Sequence, residues 1–326
     1  MFTHKDVEYK TIFVINCIQK RSIRVVNGEL LLEEHIEDSD KTKTLTKLPF
    51  QKILALFIIG HIRITTPLIE KCHKYGIALV VLKLSFRPVF YWANFAEANF
   101  LLRKKQYEFS KDDISIAKVL VTNKIVNQIQ VLKDTRCKDN LTLDTIKYLN
   151  DMLLNISNIS EYESLMGIEG LAAKLYFKVY YKDFNWGQRK PRTKCDPLNT
   201  TLDIGYTMLF NYLECFLRMF GFDIYVGVYH RMWYKRKSLV CDIVEPFRPI
   251  IDKAIRIAWN RNQFSTSDFT LIKGEYRLKY EKNYDYCSVF FNALIPYKKE
   301  IFKYIQSYYK CFMGKKSILC YPLFKI

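Results

Sequence analysis

Three short stretches of the sequence hold side chains able to manage a charged reaction centre. Asp242 and Glu245 lie three residues apart in SLVCDIVEPFRP (Ser238 to Pro249), which is otherwise largely apolar at helical spacing. On a helix this spacing puts both carboxylates on one face, where like charges repel and a cation between or near them is favoured. His230 precedes them, at the head of the basic run HRMWYKRK. Glu169 stands in GIEGLAAKLYF (Gly167 to Phe177), between Gly167 and Gly170 in a helical pattern of apolar and small residues. A glycine inside a helix costs roughly 1 kcal/mol, so two beside one acid predict close approach of another backbone. Each feature has a plainer reading alone: Glu169 on a solvated face, His230 as a hydrogen-bonded structural residue, the acid pair neutralised by Arg248 or Lys253. Together Glu169, His230 and Glu245, with Asp242 close by, form an oxygen- and nitrogen-rich set. Such a set suits Mg²⁺ or Mn²⁺ better than a thiolate-preferring metal. A divalent ion in a basic groove is what phosphodiester chemistry needs, because it stabilises phosphoryl charge and lowers the pKa of an attacking hydroxyl.

The 326-residue chain has 51 Lys and Arg against 33 Asp and Glu, a formal charge of +18. A surface this basic favours a polyanion, most often nucleic acid. The alternative is compositional: Lys, Ile, Asn, Tyr and Phe are abundant, as in AT-rich coding sequence. The candidate phosphate contacts are Arg189, Lys190, Arg192 and Lys194 in WGQRKPRTKCDP, with Arg231, Lys235, Arg236 and Lys237 after the histidine. Any one of them reads equally well as a solvated charge, but as a group they predict strongly salt-dependent DNA binding. Trp186 and Trp233 are candidates to stack on splayed bases, with core packing expected for at least one. On this reading the acids hold a metal and the bases hold the polymer it acts on. The nine cysteines include no C-x-x-C pair and read as reduced, mostly buried thiols. The apolar runs are too short to cross a bilayer, and the start of the chain does not resemble a secretion signal. The expected location is the cytoplasm.

The elements that must position these residues fall into two groups, an α+β arrangement. Residues 1 to about 86 read as a small β-domain. Its strands are expected at Tyr9 to Cys17, Ser22 to Val26, Glu29 to Glu34, within Leu48 to Gly60, and at Ile77 to Leu84, with a hairpin turn at Asn27-Gly28. Ile36 to Pro49 reads as a polar loop holding a short strand at most. A short helix is expected with Thr66 as N-cap, Pro67 as first residue and Gly76 as stop. Residues 87–95 read as a linker, and 96–326 as a helical domain. Helices are expected at Ala96 to Phe109, Asp112 to Asp134 and Asp144 to Ile156, then after a Ser160/Glu163 capping box, at Asn199 to Phe220, Ser238 to about Asn260, and Tyr286 to Phe312.

The stretches GIEGLAAKLYF, Tyr229-His230 and SLVCDIVEPFRP resemble, in order, the motifs of the CRISPR-associated integrase family, the first Cas protein. RKPRTKCDPLNTTLDIGYTML and IRITTPLIEKCHKYGIALVVL are similar to further family segments. The resemblance implies an N-terminal β-sandwich-like domain and a larger all-α catalytic domain. It implies a homodimer docked to the small ferredoxin-like second Cas protein, working on DNA. The implied activity is a metal-dependent DNA endonuclease and integrase that inserts short foreign fragments as spacers at the CRISPR repeat, with a 3′-hydroxyl attacking a phosphodiester. Glu169, His230 and Glu245 match the family's metal ligands, and Asp242 matches a further motif acid that supports the site or reaches the metal. One departure stands out: where relatives commonly carry Gly-Arg, this chain has Lys235-Arg236. The competing readings are a nuclease or transposon-type integrase of the same fold outside CRISPR, and a DNA-binding scaffold whose acids are structural.

Overall fold

Runs of Ile, Val and Leu build two sheets in the first third of the chain. The computed structural model describes residues 3–16, 21–35, 42–93, 98–109, 113–136, 138–314 and 316–326. Its elements begin with α1 (His4–Tyr9), β1 (Thr11–Asn16), β2 (Arg21–Val26), β3 (Glu29–His35) and β4 (Thr42–Pro49). Then follow β5 (Ile53–Ile59), α2 (Thr66–Tyr75), β6 (Ala78–Leu82) and β7 (Pro88–Trp92). Strands β2, β3 and β4 form an antiparallel meander. The expected Asn27-Gly28 turn is present, both residues being left-handed at φ 49° and 80°. The second sheet runs β1-β5-β6-β7, with β5 parallel to β1 and β6, and β7 antiparallel to β6.

Side-chain alternation gives the central strands two jobs. Ile53, Leu56, Ile58, Leu79 and Val81 pack with Ile23, Leu30 and Leu32 of the meander and Leu68 and Cys72 of α2. Leu54, Phe57, Ile59, Val80 and Leu82 face the other way, into the core shared with the helices. Burial on both faces explains the unbroken apolar runs.

The helical part comprises α3 (Phe100–Glu108), α4 (Ser115–Lys133), α5 (Asn140–Ile156), α6 (Tyr162–Tyr180) and α7 (Pro197–Phe220). After these come α8 (Ser238–Val244), α9 (Arg248–Asn260), a hairpin of β8 (Phe269–Ile272) and β9 (Glu275–Leu278), α10 (Asn283–Leu294) and α11 (Lys298–Gly314). Helix α7 has strong local signals: the Asp196 side chain accepts from Asn199 N at 2.7 Å, Pro197 opens it, and Gly221 closes it at φ 84°. Helix α4 is buried on nearly every side, as a central helix should be. Phe57 joins the layers, stacking on Tyr212 of α7 at 6.0 Å and meeting Phe291 of α10 edge-on at 5.2 Å. Asn211 ties the seam by donating to Phe86 O at 2.7 Å and accepting from the Tyr91 hydroxyl.

Several sequence expectations are corrected. Thr42–Pro49 is a full strand, not a loop with a short one, because it pairs along β3. Pro88–Trp92, read as linker, is the edge strand β7, with Pro88 at its first position, where no ladder N–H is required. Thr65, not Thr66, is the N-cap of α2, while Gly76 ends it in the left-handed conformation as expected. The Ser160/Glu163 capping box does not form; Glu161 precedes α6 without a side-chain cap. The helix expected over Ser238 to Asn260 is interrupted by a 3₁₀ turn at Glu245–Phe247, and the C-terminal helix by another at Ile295–Tyr297. Each break holds a proline, which lacks the donor and clashes with the preceding turn. The β8–β9 hairpin, turning on left-handed Lys273 and Gly274, was not foreseen.

The expected helix starts Ala96 and Asp112, residues 36–41, and Cys17 and Cys137 lie outside the described residues. The seven described cysteines are free, four of them buried. Among the described residues no helix is long and apolar enough to cross a membrane. Replacing Phe57 by Ala removes the ring shared by sheet and helices, with an expected loss of about 3–5 kcal/mol. The check is the midpoint of guanidinium unfolding; a loss under about 1 kcal/mol would show that the layers do not depend on this contact.

Candidate active site

The break at Pro246 is where the site begins. Glu245 opens the 3₁₀ turn, and the buried carbonyl of Pro246 accepts from Asn127 Nδ2 of α4 at 2.9 Å. This brings Glu245, only 3% exposed, against α4 and against the first turn of α9. Arg248 grips the carboxylate with two donors, Nε to Oε2 at 3.0 Å and a terminal nitrogen to Oε1 at 2.9 Å. Lys124 Nζ of α4 lies 2.6 Å from Oε2. Burial alone would raise the Glu245 carboxyl; Arg248 and Lys124 outweigh it and hold the group down to about 2.

Asp242, fully buried one turn earlier, has a separate set of partners. Its Oδ2 accepts from the backbone N–H of Val228 at 2.7 Å and of Tyr229 at 3.1 Å. Its Oδ1 accepts from the His230 N–H at 2.7 Å and lies 2.8 Å from His230 Nδ1. With the Nδ1 proton given to this carboxylate, a neutral imidazole presents Nε2 as a free ligand nitrogen. Asp242 therefore acts as the orienting acid, its oxygens occupied by N–H donors. The wrap requires glycine at 227: a Cβ there would lie 2.5 Å from Asp242 Oδ2 and 2.8 Å from the Ser238 carbonyl carbon.

Glu169 comes from α6 and completes the group. Its Oε2 accepts from the Tyr229 hydroxyl at 2.7 Å, and its Oε1 is paired with the same Lys124 ammonium that reaches Glu245. The cations expected between or near the acid pair serve Glu245 alone of the two, Arg248 among them, while Asp242 is answered by N–H donors. The two carboxylates joined by one cation are Glu169 and Glu245, from different elements. Close backbone approach at Gly167 and Gly170 is corrected. Both are exposed, and a Cβ on either would meet nothing within 4 Å. They leave a bare helix face beside Glu169.

The donor set fits a divalent cation in chemistry. One cation already touches both carboxylates, and Asp242 leaves the His230 Nε2 open. Among the described residues, however, no three His, Cys, Asp or Glu side chains are gathered into a ready metal cluster. Lys124 stands between the two glutamates.

Behind the site lies a second layer. The Arg248 guanidinium sits 4.5 Å from the centre of the Tyr206 ring, whose hydroxyl donates to Asp252. Tyr176 donates to the other Asp252 oxygen at 3.1 Å. Burial pushes the Asp252 carboxyl up to about 6, against the pull of these two hydroxyls. Lys124 and Asp252 carry no marked signal in the sequence, whereas Arg248 is present as the partner expected for the acid pair, on Glu245. The faint signal available for Lys124 was the cluster Asn123, Lys124, Asn127 and Gln128, polar at helical spacing inside an otherwise apolar α4 and all buried.

The basic residues divide by how they are held. Arg189 turns inward, bonded to Asp203 at 2.5 Å and to Asn199 Oδ1 at 3.0 Å. Lys237 donates to both oxygens of Glu214, at 2.8 and 2.7 Å. Arg231 pairs with Glu163 on the surface, and Lys194 lies 3.5 Å from Glu275. Lys190, Arg192 and Lys235 are exposed, and Arg236 is half-buried. Lys235 adopts φ 61°, the left-handed conformation that the family's glycine would favour at this position. The loop turns there despite the larger residue. Trp186 packs inside, donating to Asp196 and meeting Phe177 and Tyr181 edge-on. Trp233 and Tyr234, by contrast, are 78% and 82% exposed at the loop tip.

Comparison with known proteins gives one answer. The family model described as CRISPR associated protein Cas1 matches residues 18–290. A CRISPR-associated endonuclease Cas1 of Thermodesulfovibrio yellowstonii is 32% identical over 242 residues, 70% of this chain and 76% of that protein. One from Thermus thermophilus is 27% identical over 250 residues, 73% of each. Solved structures share the fold at lower identity. A chain of a Cas6-RT-Cas1–Cas2 complex superposes with TM-score 0.76 at 21% identity, covering 97% of this chain, which spans only 36% of that longer one. A casposase bound to integration product gives TM-score 0.74 at 18% identity, covering 94% of this chain and 92% of that one.

Gly227→Ala forces the loop away from Asp242. An overpacked site of this kind is expected to lose about 1–3 kcal/mol, read from chemical denaturation. A change within experimental error would mean that the loop shifts at no cost and that the glycine is dispensable.

Proposed function

This chain belongs to the Cas1 family of CRISPR associated proteins, and on that premise we propose that it carries out metal-dependent DNA strand transfer at Glu169, His230 and Glu245. As a member of that family it is an integrase and endonuclease of CRISPR adaptation. The observation that carries the metal reading is the convergence of Glu169 and Glu245, from separate elements, on a single cation, beside an imidazole whose Nε2 Asp242 leaves open. Glu169, His230 and Glu245 would hold Mg²⁺ or Mn²⁺, and the ion would supply Lewis-acid stabilisation of phosphoryl charge and a lowered pKa for a bound hydroxyl.

The remaining work falls to the chain's own side chains. Asp242 fixes the imidazole ring and its tautomer. Arg248 keeps Glu245 ionised and in place through its two-point grip. Lys190, Arg192, Lys235 and Arg236 contact DNA phosphates, and the exposed Trp233 stacks on a splayed base. The exposed glycines at 167 and 170 let the DNA backbone lie close to Glu169, which is the use left for them once internal packing is ruled out. The substrates are short foreign DNA fragments and the CRISPR repeat. The partners are a second copy of the chain and the small ferredoxin-like Cas2, in the cytoplasm. The likeness to chains of a Cas1–Cas2 complex supports the Cas2 partner.

Strand transfer into a repeat-containing supercoiled plasmid tests the reading. Glu169→Ala and His230→Ala are expected to abolish transfer while leaving DNA binding in place. Asp242→Asn is expected to lower it by about 10–100-fold, as for other residues that orient a ligand. EDTA should stop the wild-type protein, and Mn²⁺ or Mg²⁺ should restore it. Near-normal transfer by Glu169→Ala would sink the assignment.

A further inference from the structure

Lys124 performs for Glu169 and Glu245 the service expected of a metal. Its side chain is 8% exposed, and its ammonium pairs with Glu169 Oε1 and Glu245 Oε2 at once. The local charges already balance: Glu169 and Glu245 on one side, Lys124 and Arg248 on the other. A divalent ion added among them would leave a buried excess of positive charge within a few ångströms of an ammonium. One of the two resident cations must give way.

Their chemistry decides which. Arg248 is anchored by a two-point grip on Glu245 and by the Tyr206 ring beneath it. Lys124 is a point charge on a flexible four-carbon stem, with rotatable donors and no fork to align. We propose that Lys124 is a resident counter-cation that exchanges with the divalent ion, bridging Glu169 and Glu245 until the ion takes its place. The inference rests on the metal reading above and adds an opposing function to it. The bridge keeps two buried carboxylates from repelling one another, and it weakens metal affinity because the ion must displace an ammonium. Any group that draws the ammonium away, such as a DNA phosphate, therefore tightens metal binding, and the linkage is reciprocal.

The test is calorimetric titration with Mn²⁺ of EDTA-treated wild-type and Lys124→Met protein. The variant is expected to bind Mn²⁺ at least about tenfold more tightly, to melt at a lower temperature without metal, and to recover stability when Mn²⁺ saturates it. An equal or weaker Mn²⁺ affinity in Lys124→Met overturns the exchange while leaving the metal reading intact, since both proteins still bind. No Mn²⁺ binding by either protein removes the metal reading, and this inference with it. If Lys124→Met does not fold, nitrogen-15-labelled lysine in the wild-type protein decides. The Lys124 ammonium resonance, assigned with Lys124→Arg, is expected to be protected without metal and to shift or vanish at Mg²⁺ saturation. A resonance that stays unchanged with Mg²⁺ bound overturns the proposal.

Discussion

Burying an ionised carboxylate costs several kcal/mol unless charge and hydrogen bonds answer it, and among the carboxylates this chain buries are two set one helical turn apart at a helix break. Asp242 is fully buried and Glu245 is 3% exposed. The architecture around them follows from how each is answered. Asp242 uses backbone, the N–H groups of Val228, Tyr229 and His230, so that segment must wrap tightly and Gly227 must lack a side chain. Glu245 uses side-chain cations, so α4 has to pass within reach of Lys124, and Arg248 has to follow directly after the break. Pro246 makes the break, and Asn127 of α4 donates to the Pro246 carbonyl. Sheet, linker strand and outer helices hold α4, α6 and the broken helix in register.

The two solutions produce different chemistry from the same residue class. A carboxylate surrounded by N–H donors has little capacity left for a ligand, but it can orient a histidine. One held by Arg and Lys remains an anion whose cationic partners can be traded. The i,i+3 spacing puts the acids side by side in sequence, yet the fold gives one an orienting role and the other a share in a bridge to Glu169. Tyr229 links the halves: its N–H serves Asp242 while its hydroxyl serves Glu169.

Sequence patterns made most of the fold legible, and the acids of the site with it. Long apolar periodicities and strong caps, such as Asp196-Pro197 and Gly221 around α7, located the main helices. The elements that escaped had weak or contrary signals. In β4, Thr and Lys alternate with only Leu45 and Leu48 along a half-exposed strand. In β7, a proline at the start and exposed Val89 and Phe90 read as a connector. Helix breaks were missed because the apolar period continues through Pro246 and Pro296. Glu169, His230, Asp242 and Glu245 stood out as polar groups in apolar surroundings. Lys124 did not, for a physical reason: in a chain this rich in lysine, one more on a helix reads as a solvated charge. Only the tertiary packing that buries α4 on nearly every side turns it into an internal cation.

That packing also resolves the tension between a strongly basic protein and an acidic site. A net charge of +18 disfavours divalent cations as it favours polyanions. Glu169 and Glu245 offset little of that repulsion, because Lys124 and Arg248 neutralise them within hydrogen-bond distance. Such a site is a poor trap for a free metal ion. On the proposed function, a polyanion lying across Lys190, Arg192 and Lys235 would change the balance by screening the surface charge and offering Lys124 another acceptor. Under the proposed exchange, metal and nucleic acid would favour each other's binding through the same ammonium, so the charge that opposes the ion alone would draw in the polymer that helps to bind it.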